Sequence, residues 1–241
     1  AVAASATAMN AIAASATAMD AVAASATAMN VVAASATARN AIRNSSTALN
    51  IVADSSMAIG KFVAGEAGLN PADYATMNAV AASATVMNAI AASATAMQAV
   101  ANSATALSAI CKSETAAVTV KSAIQNYRSQ VVATLEAAVG SKFSKSSITV
   151  GTNSADTFDS GLGTSTIYIP IQIEDSGIPD TYDIYYGADV NYKIGSYNVG
   201  TNIGNSPFTV SEGVSMRGIR LIKTATPNVV ERLVCDVYTA V

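Results

Sequence analysis

From Ala1 to about Ser108, large apolar side chains occupy two places in a repeating ten-residue unit, the second and the ninth. The first array carries Val2, Met9, Ile12, Met19, Val22, Met29 and Val32, then more loosely Ile42, Leu49, Val52 and Ile59. The second carries Met77, Val80, Met87, Ile90, Met97, Val100, Leu107 and Ile110. These positions alternate intervals of seven and three, which are helical spacings, whereas a half-buried strand would alternate by two. Ala and Met favour helix, and neither Gly nor Pro interrupts residues 1–59. The apolar stripe is narrow, so a lone helix would be weak and must bury the stripe against partners. Ten residues for three turns amounts to about 3.3 per turn, below the heptad value, which predicts a left-handed coiled coil with a pitch on the order of 70 Å.

The expected fold is α+β: a long alanine-rich helical coiled-coil shaft broken once near 60–76, followed by a small all-β, sandwich-like C-terminal domain. The divisions are a first array at 1–59, a break and restart at 60–76, a second array and neck at 77–140, and a β-rich tip at 141–241. At the break, Gly60, Gly65 and Gly68 end the first helix, and Asn70 as N-cap with Pro71 behind it starts the second. The arrays then either continue coaxially in a parallel trimer or double back as an antiparallel hairpin. In the neck, Val118, Val120, Ile124, Tyr127, Val131, Val132, Leu135 and Val139 keep a helical stripe that Gly140 ends. Beyond it, residues 148–150, 166–173, 182–186, 192–194, 218–222 and 229–238 read as strands between Gly, Asn, Asp and Pro clusters.

Composition sharpens the division. Seven of the nine Tyr and four of the five Pro lie after residue 160. A net charge of −3 without a concentrated Lys/Arg run lacks the electrostatic footprint of a nucleic-acid binder. Ser, Thr and Asn or Asp interrupt every decad, so no stretch of about 18 strongly apolar residues suggests membrane insertion. Residue 1 begins neither a basic nor a Leu-rich leader. Cys111 and Cys235 are expected to be free buried thiols rather than a disulfide framework or metal site. Arg39 stands where a Met is expected, with Arg43 one turn later, so a trimer would gather arginines near its axis. Either the side chains snorkel outward or an anion sits between them.

The tandem Ser-Ala-Thr-Ala-Met-Asn-Ala-Val-Ala-Ala decads resemble repeats of tail-fibre and related appendage proteins of tailed bacteriophages, as does the linker from Gly68-Leu69-Asn70-Pro71 to Met77-Asn78-Ala79-Val80. The resemblance covers about residues 1–110. It implies a structural and adhesive subunit of a virion, assembled as a homotrimer in the host cytoplasm and acting outside the cell. Implied partners are other copies of itself, other virion proteins and a bacterial surface glycan or protein. A cellular trimeric adhesin shares the same physics.

For the tip, no His, nucleophile motif or phosphate loop points to catalysis, and neither an enzyme nor a cofactor is expected. Tyr182, Tyr185, Tyr186, Tyr192 and Tyr197 are candidate receptor contacts, because tyrosine pairs a flat apolar face with a polar edge. Core packing is the competing role. Arg217 and Arg220, with Lys223, form a basic cluster suited to an anionic surface. Glu174, Asp175, Asp180 and Asp183 could offer oxygens to calcium, although their spacing matches no calcium loop. Asp156 and Asp159 are a carboxylate pair that a glycan-cleaving tip would need. An ice-binding reading fails on a straight helix, where Thr7, Thr17 and Thr27 would spiral about 80° apart.

Overall fold

A computed structural model describes residues 2–152, 157–159, 165–174, 180–187, 189–199, 208–210, 213–223 and 231–241. The protein is α+β, with helices followed by antiparallel sheets. It divides into two compact units, Ala1–Ile110 and Cys111–Val241.

In the first unit every decad makes its own short helix: α1 (Ala6–Ala14), α2 (Ala16–Ala23), α3 (Ala26–Ala34), α4 (Ala36–Arg43), α5 (Ser46–Asp54) and α6 (Ser56–Glu66). The cause is the serine at the fifth place. Ser5, Ser15, Ser25, Ser35, Ser45 and Ser55 are N-caps in extended conformation, and each hydroxyl accepts the backbone N–H three residues on. That bond satisfies an otherwise orphan donor of the first turn. A continuous helix would let the apolar stripe drift about 80° per decad; one extended serine per decad resets the phase instead. The axes of α2 and α3 bend by 103° there. Successive bends return the fourth helix to the first, so that α4 packs on α1, α5 on α2 and α6 on α3.

The resulting unit is a solenoid with three helices per coil. The serine hydroxyl also ties coil to coil: Ser35 Oγ donates to the Ala3 carbonyl at 2.5 Å and Ser45 Oγ to the Ala13 carbonyl at 2.6 Å. Its interior holds the ninth-place methionines Met9, Met19 and Met29 with third-place alanines such as Ala13 and Ala33, all buried. Burial of each Met side chain contributes about 1.5–3 kcal/mol, and alanine beside it lets neighbouring backbones approach.

This corrects the shaft expected from periodicity. The chain breaks at every decad rather than once, and Met9, Met19, Met29, Met77, Val80, Met87, Ile90, Met97 and Val100 bury their side chains within one chain. Val2 is exposed, and Ile12 and Val22 are half-buried. The joint is not a hairpin: after it, α7 (Met77–Ala81), α8 (Ala84–Ala92), α9 (Ala94–Ala101) and α10 (Ala104–Lys112) resume the same construction. α9 stacks on α6, Ser93 Oγ donates to the Glu66 carbonyl at 3.0 Å, and Ser103 Oγ to the Ala53 carbonyl at 2.6 Å. Of the three glycines, Gly68 alone ends α6, at φ +76°, with the Leu69 and Gly68 N–H groups returning to the Ala64 and Gly65 carbonyls. Gly60 and Gly65 lie inside α6 where a Cβ would strike the backbone of Thr76 and Met77 or of Ala33. Asn70 caps a turn of 3-10 helix at Pro71–Asp73, and α7 begins later with Thr76 as its cap.

In the second unit, α11 (Glu114–Val120), a 3-10 turn at Ala123–Tyr127 and α12 (Arg128–Ala137) lead to Gly140, whose φ of +83° closes the helical segment. Among the described residues nine strands follow: β1 (Phe143–Thr152), β2 (Thr157–Asp159), β3 (Thr166–Glu174), β4 (Asp180–Tyr186), β5 (Asp189–Val199), β6 (Phe208–Thr209), β7 (Ser215–Met216), β8 (Ile219–Lys223) and β9 (Glu231–Ala240). One sheet runs β1-β9-β3-β6 with β7 also on β3, and the other runs β2-β8-β4-β5. Tyr168, Ile173, Leu233, Cys235 and Val237 of the first pack with Ile184, Tyr197, Ile219 and Leu221 of the second in one core, as in a sandwich. All six expected strands are present among the described residues, while 229 and 230 lie outside them. Pro170 sits where the β3–β9 register shifts, a place that tolerates its missing N–H. The helical neck belongs to this unit: Gln125 pairs with both backbone groups of Val214 at 2.9 Å, and Arg128 donates to the Pro170 carbonyl at 2.9 Å.

Candidate functional site

Strands β4 and β5 bring four polar side chains together because Asp183 pairs with Ser196, and Tyr185 with Lys193 after a register shift. The period of two puts Asp183 and Tyr185 on one face of β4, and the register irregularity between Gly195 and Lys193 lets Lys193 join Ser196 beside them. Asp183 is the centre: Ser196 Oγ donates to its Oδ1 at 2.5 Å and Lys193 Nζ to its Oδ2 at 3.2 Å, with the Tyr185 hydroxyl at 3.5 Å. Asp183 is 8% exposed, whereas Lys193 and Ser196 are exposed and Tyr185 is half-buried. A buried carboxylate needs such donors, and here they fix it behind a surface of hydroxyl and ammonium groups. That surface can exchange hydrogen bonds with a hydroxylated or carbonyl-rich partner.

The five tyrosines therefore separate. Tyr186 is fully buried, its hydroxyl donating to the Ala117 carbonyl at 2.9 Å, and burial pushes its phenol well above the ordinary range. Tyr197 is in the core. Tyr192 is half-buried, edge-on to Tyr186 with ring centroids 6.4 Å apart, and carries Lys121 Nζ 5.5 Å from its ring centre. The same lysine pairs with Asp189 and holds that carboxyl below the usual range. Tyr182 lies on β4, but its side chain is outside the described residues, as is that of Arg220 on β8. Arg217, at φ +63°, turns to Glu114, 3.7 Å away, and to the Lys112 carbonyl at 3.4 Å. Of the calcium candidates, Asp183 spends its oxygens on Ser196 and Lys193, Asp175 is outside the described residues, and so are the side chains of Glu174 and Asp180. Asp156 and the side chain of Asp159 are outside them too. Among the described residues no group of three His, Cys, Asp or Glu could hold a metal ion.

Two polar clusters escaped the sequence reading. In the second unit Lys145 Nζ lies 2.6 Å from Glu136 and 2.9 Å from Asp236, and the Tyr238 hydroxyl donates to Glu136 at 2.5 Å. The bonds from Lys145 and Tyr238 hold the Glu136 carboxyl low, Glu136 and Asp236 hold Lys145 above the lysine range, and burial followed by the Glu136 bond lifts the Tyr238 phenol to about 12. In the first unit the Glu66 side chain is 2% exposed, with Arg43 Nη1 at 2.5 Å and Arg39 Nε at 3.4 Å. Of the two readings of the paired arginines, the anion is the one the structure supplies, and it is a glutamate of the same chain. Lys61, 3% exposed, donates to the Pro71 and Tyr74 carbonyls and anchors the joint. An isolated charge within each apolar run was the available signal. Both cysteines are buried thiols outside any disulfide, and burial raises each to about 12.

Comparison with known proteins finds no family model that matches the chain and no curated sequence that matches it. No single helix among the described residues is long and apolar enough to cross a membrane.

Proposed function

We propose that this chain is a structural and adhesive subunit of a phage tail fibre or a similar virion appendage, with the decad unit as spacer and the β-rich unit as its attachment part. The reading rests on the likeness of the decads to fibre repeats, and the observation that carries it is the stacked-coil construction. Each further coil lengthens such a unit without a new core, because a repeat touches only its neighbours. The Asp183 face of β4 and β5 is the proposed contact with a bacterial surface glycan or a neighbouring virion protein.

The coiled-coil form of the spacer is not retained, since its seam is occupied within one chain. Homotrimeric assembly is retained as a proposal and must use other surfaces. Light scattering tests it: a mass of three 24.2 kDa chains supports the trimer, and a single-chain mass rejects it. Attachment is tested by pull-down of the purified protein on bacterial cells and on isolated surface polysaccharide. Asp183→Asn with Lys193→Ala is expected to lower retention about tenfold; unchanged retention would move the contact elsewhere.

A further inference from the structure

One cavity of the decad unit gathers the residues that depart from the repeat. It measures about 270 Å³ and is walled by side chains from α5, α6 and α9 and from the end of α4. The third place of the decad is alanine in the first four units, and Arg43 replaces it in the next. The fourth place is alanine in the same four units and again at Ala82 and Ala92, whereas Asn44 and Asn102 stand there instead. Leu49 takes the ninth place of a methionine, and Gln98 the tenth place of an asparagine. All five line this one hollow with Phe62, which is fully buried, while Asn44 and Gln98 are exposed at its mouth. No Asp or Glu is among its lining residues. Arg43 spends Nη1 on Glu66 and Nη2 on Asn40, two of the five N–H groups of a guanidinium. Glu66 is shared with Arg39, so the three groups together carry a net positive charge beside the cavity.

We propose that this cavity binds a small hydroxylated carboxylate, a single sugar acid in size. Its carboxylate meets Arg43, its hydroxyls meet the side-chain amides of Asn44, Gln98 and Asn102, and its C–H face rests on Phe62 and Leu49. A guanidinium fork matches carboxylate geometry, and an amide can both donate to and accept from a hydroxyl. The volume lies just under the roughly 300–1,000 Å³ of sites for drug-sized ligands, which sets the occupant at about one ring. A neutral ligand would leave the positive charge uncompensated, and an apolar one would strip water from three amides without replacing it.

The test titrates the full chain with sodium D-glucuronate and D-galacturonate, and with D-glucose as the neutral control, by saturation-transfer NMR and calorimetry. The expected result is saturable one-to-one binding of at least one of the two acids with a dissociation constant on the order of millimolar, and about tenfold weaker binding of glucose. Asn44→Ala with Asn102→Ala restores the alanine of the repeat at two helix ends whose backbone angles are close to those of Ala24 and Ala82. This variant should keep its thermal midpoint and bind the acid about tenfold more weakly. Arg43→Gln should erase the preference for the acid over glucose; if it loses its fold with the Glu66 pair, the alanine variant still decides. Equal binding by the alanine variant, equal binding of glucose, or binding of neither acid overturns the proposal. None of these readouts depends on whether the chain belongs to a virion or on the Asp183 face.

Discussion

Ser35 and Ser45, at the fifth place of their decads, each carry two bonds at once, accepting from their own helix and donating to the coil before it. Ser35→Ala removes both and leaves the Ala3 carbonyl without its donor. The expected loss is about 1–2 kcal/mol, read as a fall in the urea midpoint, against almost no change for Thr7→Ala at an exposed site. A Ser35→Thr variant should recover part of it, because threonine keeps the hydroxyl. Glu66 is the other sensitive position. Glu66→Gln strands Arg39 beside Arg43 and should cost about 2 kcal/mol, below the usual figure for a fully buried pair because both arginines are partly solvated. Adding Arg39→Met, which restores the ninth-place residue of the repeat, should return most of that stability in the same denaturation assay. The serines were visible as a regular feature, but composition does not distinguish a capping serine from a small solvated one. Arg39 and Arg43 were legible as a pair that must either snorkel outward or meet an anion; Glu66 was not legible as that anion, since it lies 23 residues from Arg43.

Among the elements, α6 is the most enclosed helix of the first array, buried along most of its length. Its glycines divide by role. Gly65→Ala would place a Cβ 2.0 Å from the Ala33 carbonyl oxygen, so α6 must move off α3, and a drop of several degrees in the thermal midpoint is expected. Gly68→Ala meets nothing within 4 Å and suffers only its φ of +76°, at about 1 kcal/mol. If Gly65→Ala proved the milder of the two, the close packing of α6 on α3 would be wrong. Strands were easier to place than helices. Runs such as Ile167-Tyr168-Ile169 and Ile184-Tyr185-Tyr186 are rich in β-branched and aromatic residues, and turn residues bound them. The short β2, β6 and β7 were not seen, because two or three residues hold no measurable period.

For the molecule as a whole, the sandwich unit carries the clearest response to pH. Asp189 and Glu136 have carboxyls lowered by Lys121 and Lys145, so their contribution is present above the unfolded carboxylate range, about pH 4, and is lost as pH falls through their lower folded values. Lys145 and Tyr238 are raised, so theirs is present below about pH 10 and is lost as pH rises beyond it. Glu136→Gln should flatten both the acid and the alkaline limbs of the thermal midpoint of this unit, since it touches both partners. The decad pattern was enough to establish helix, the identity of the buried stripe and the α-then-β order, because those depend on local spacing and side-chain type. It could not say whether the stripe is buried by other chains or by the same one. A seven-and-three interval is satisfied equally by a supercoil that follows the drift and by a chain that resets it at each serine. The choice rests on bonds such as that from Ser35 to Ala3, 32 residues apart, and only the folded backbone brings those partners within reach.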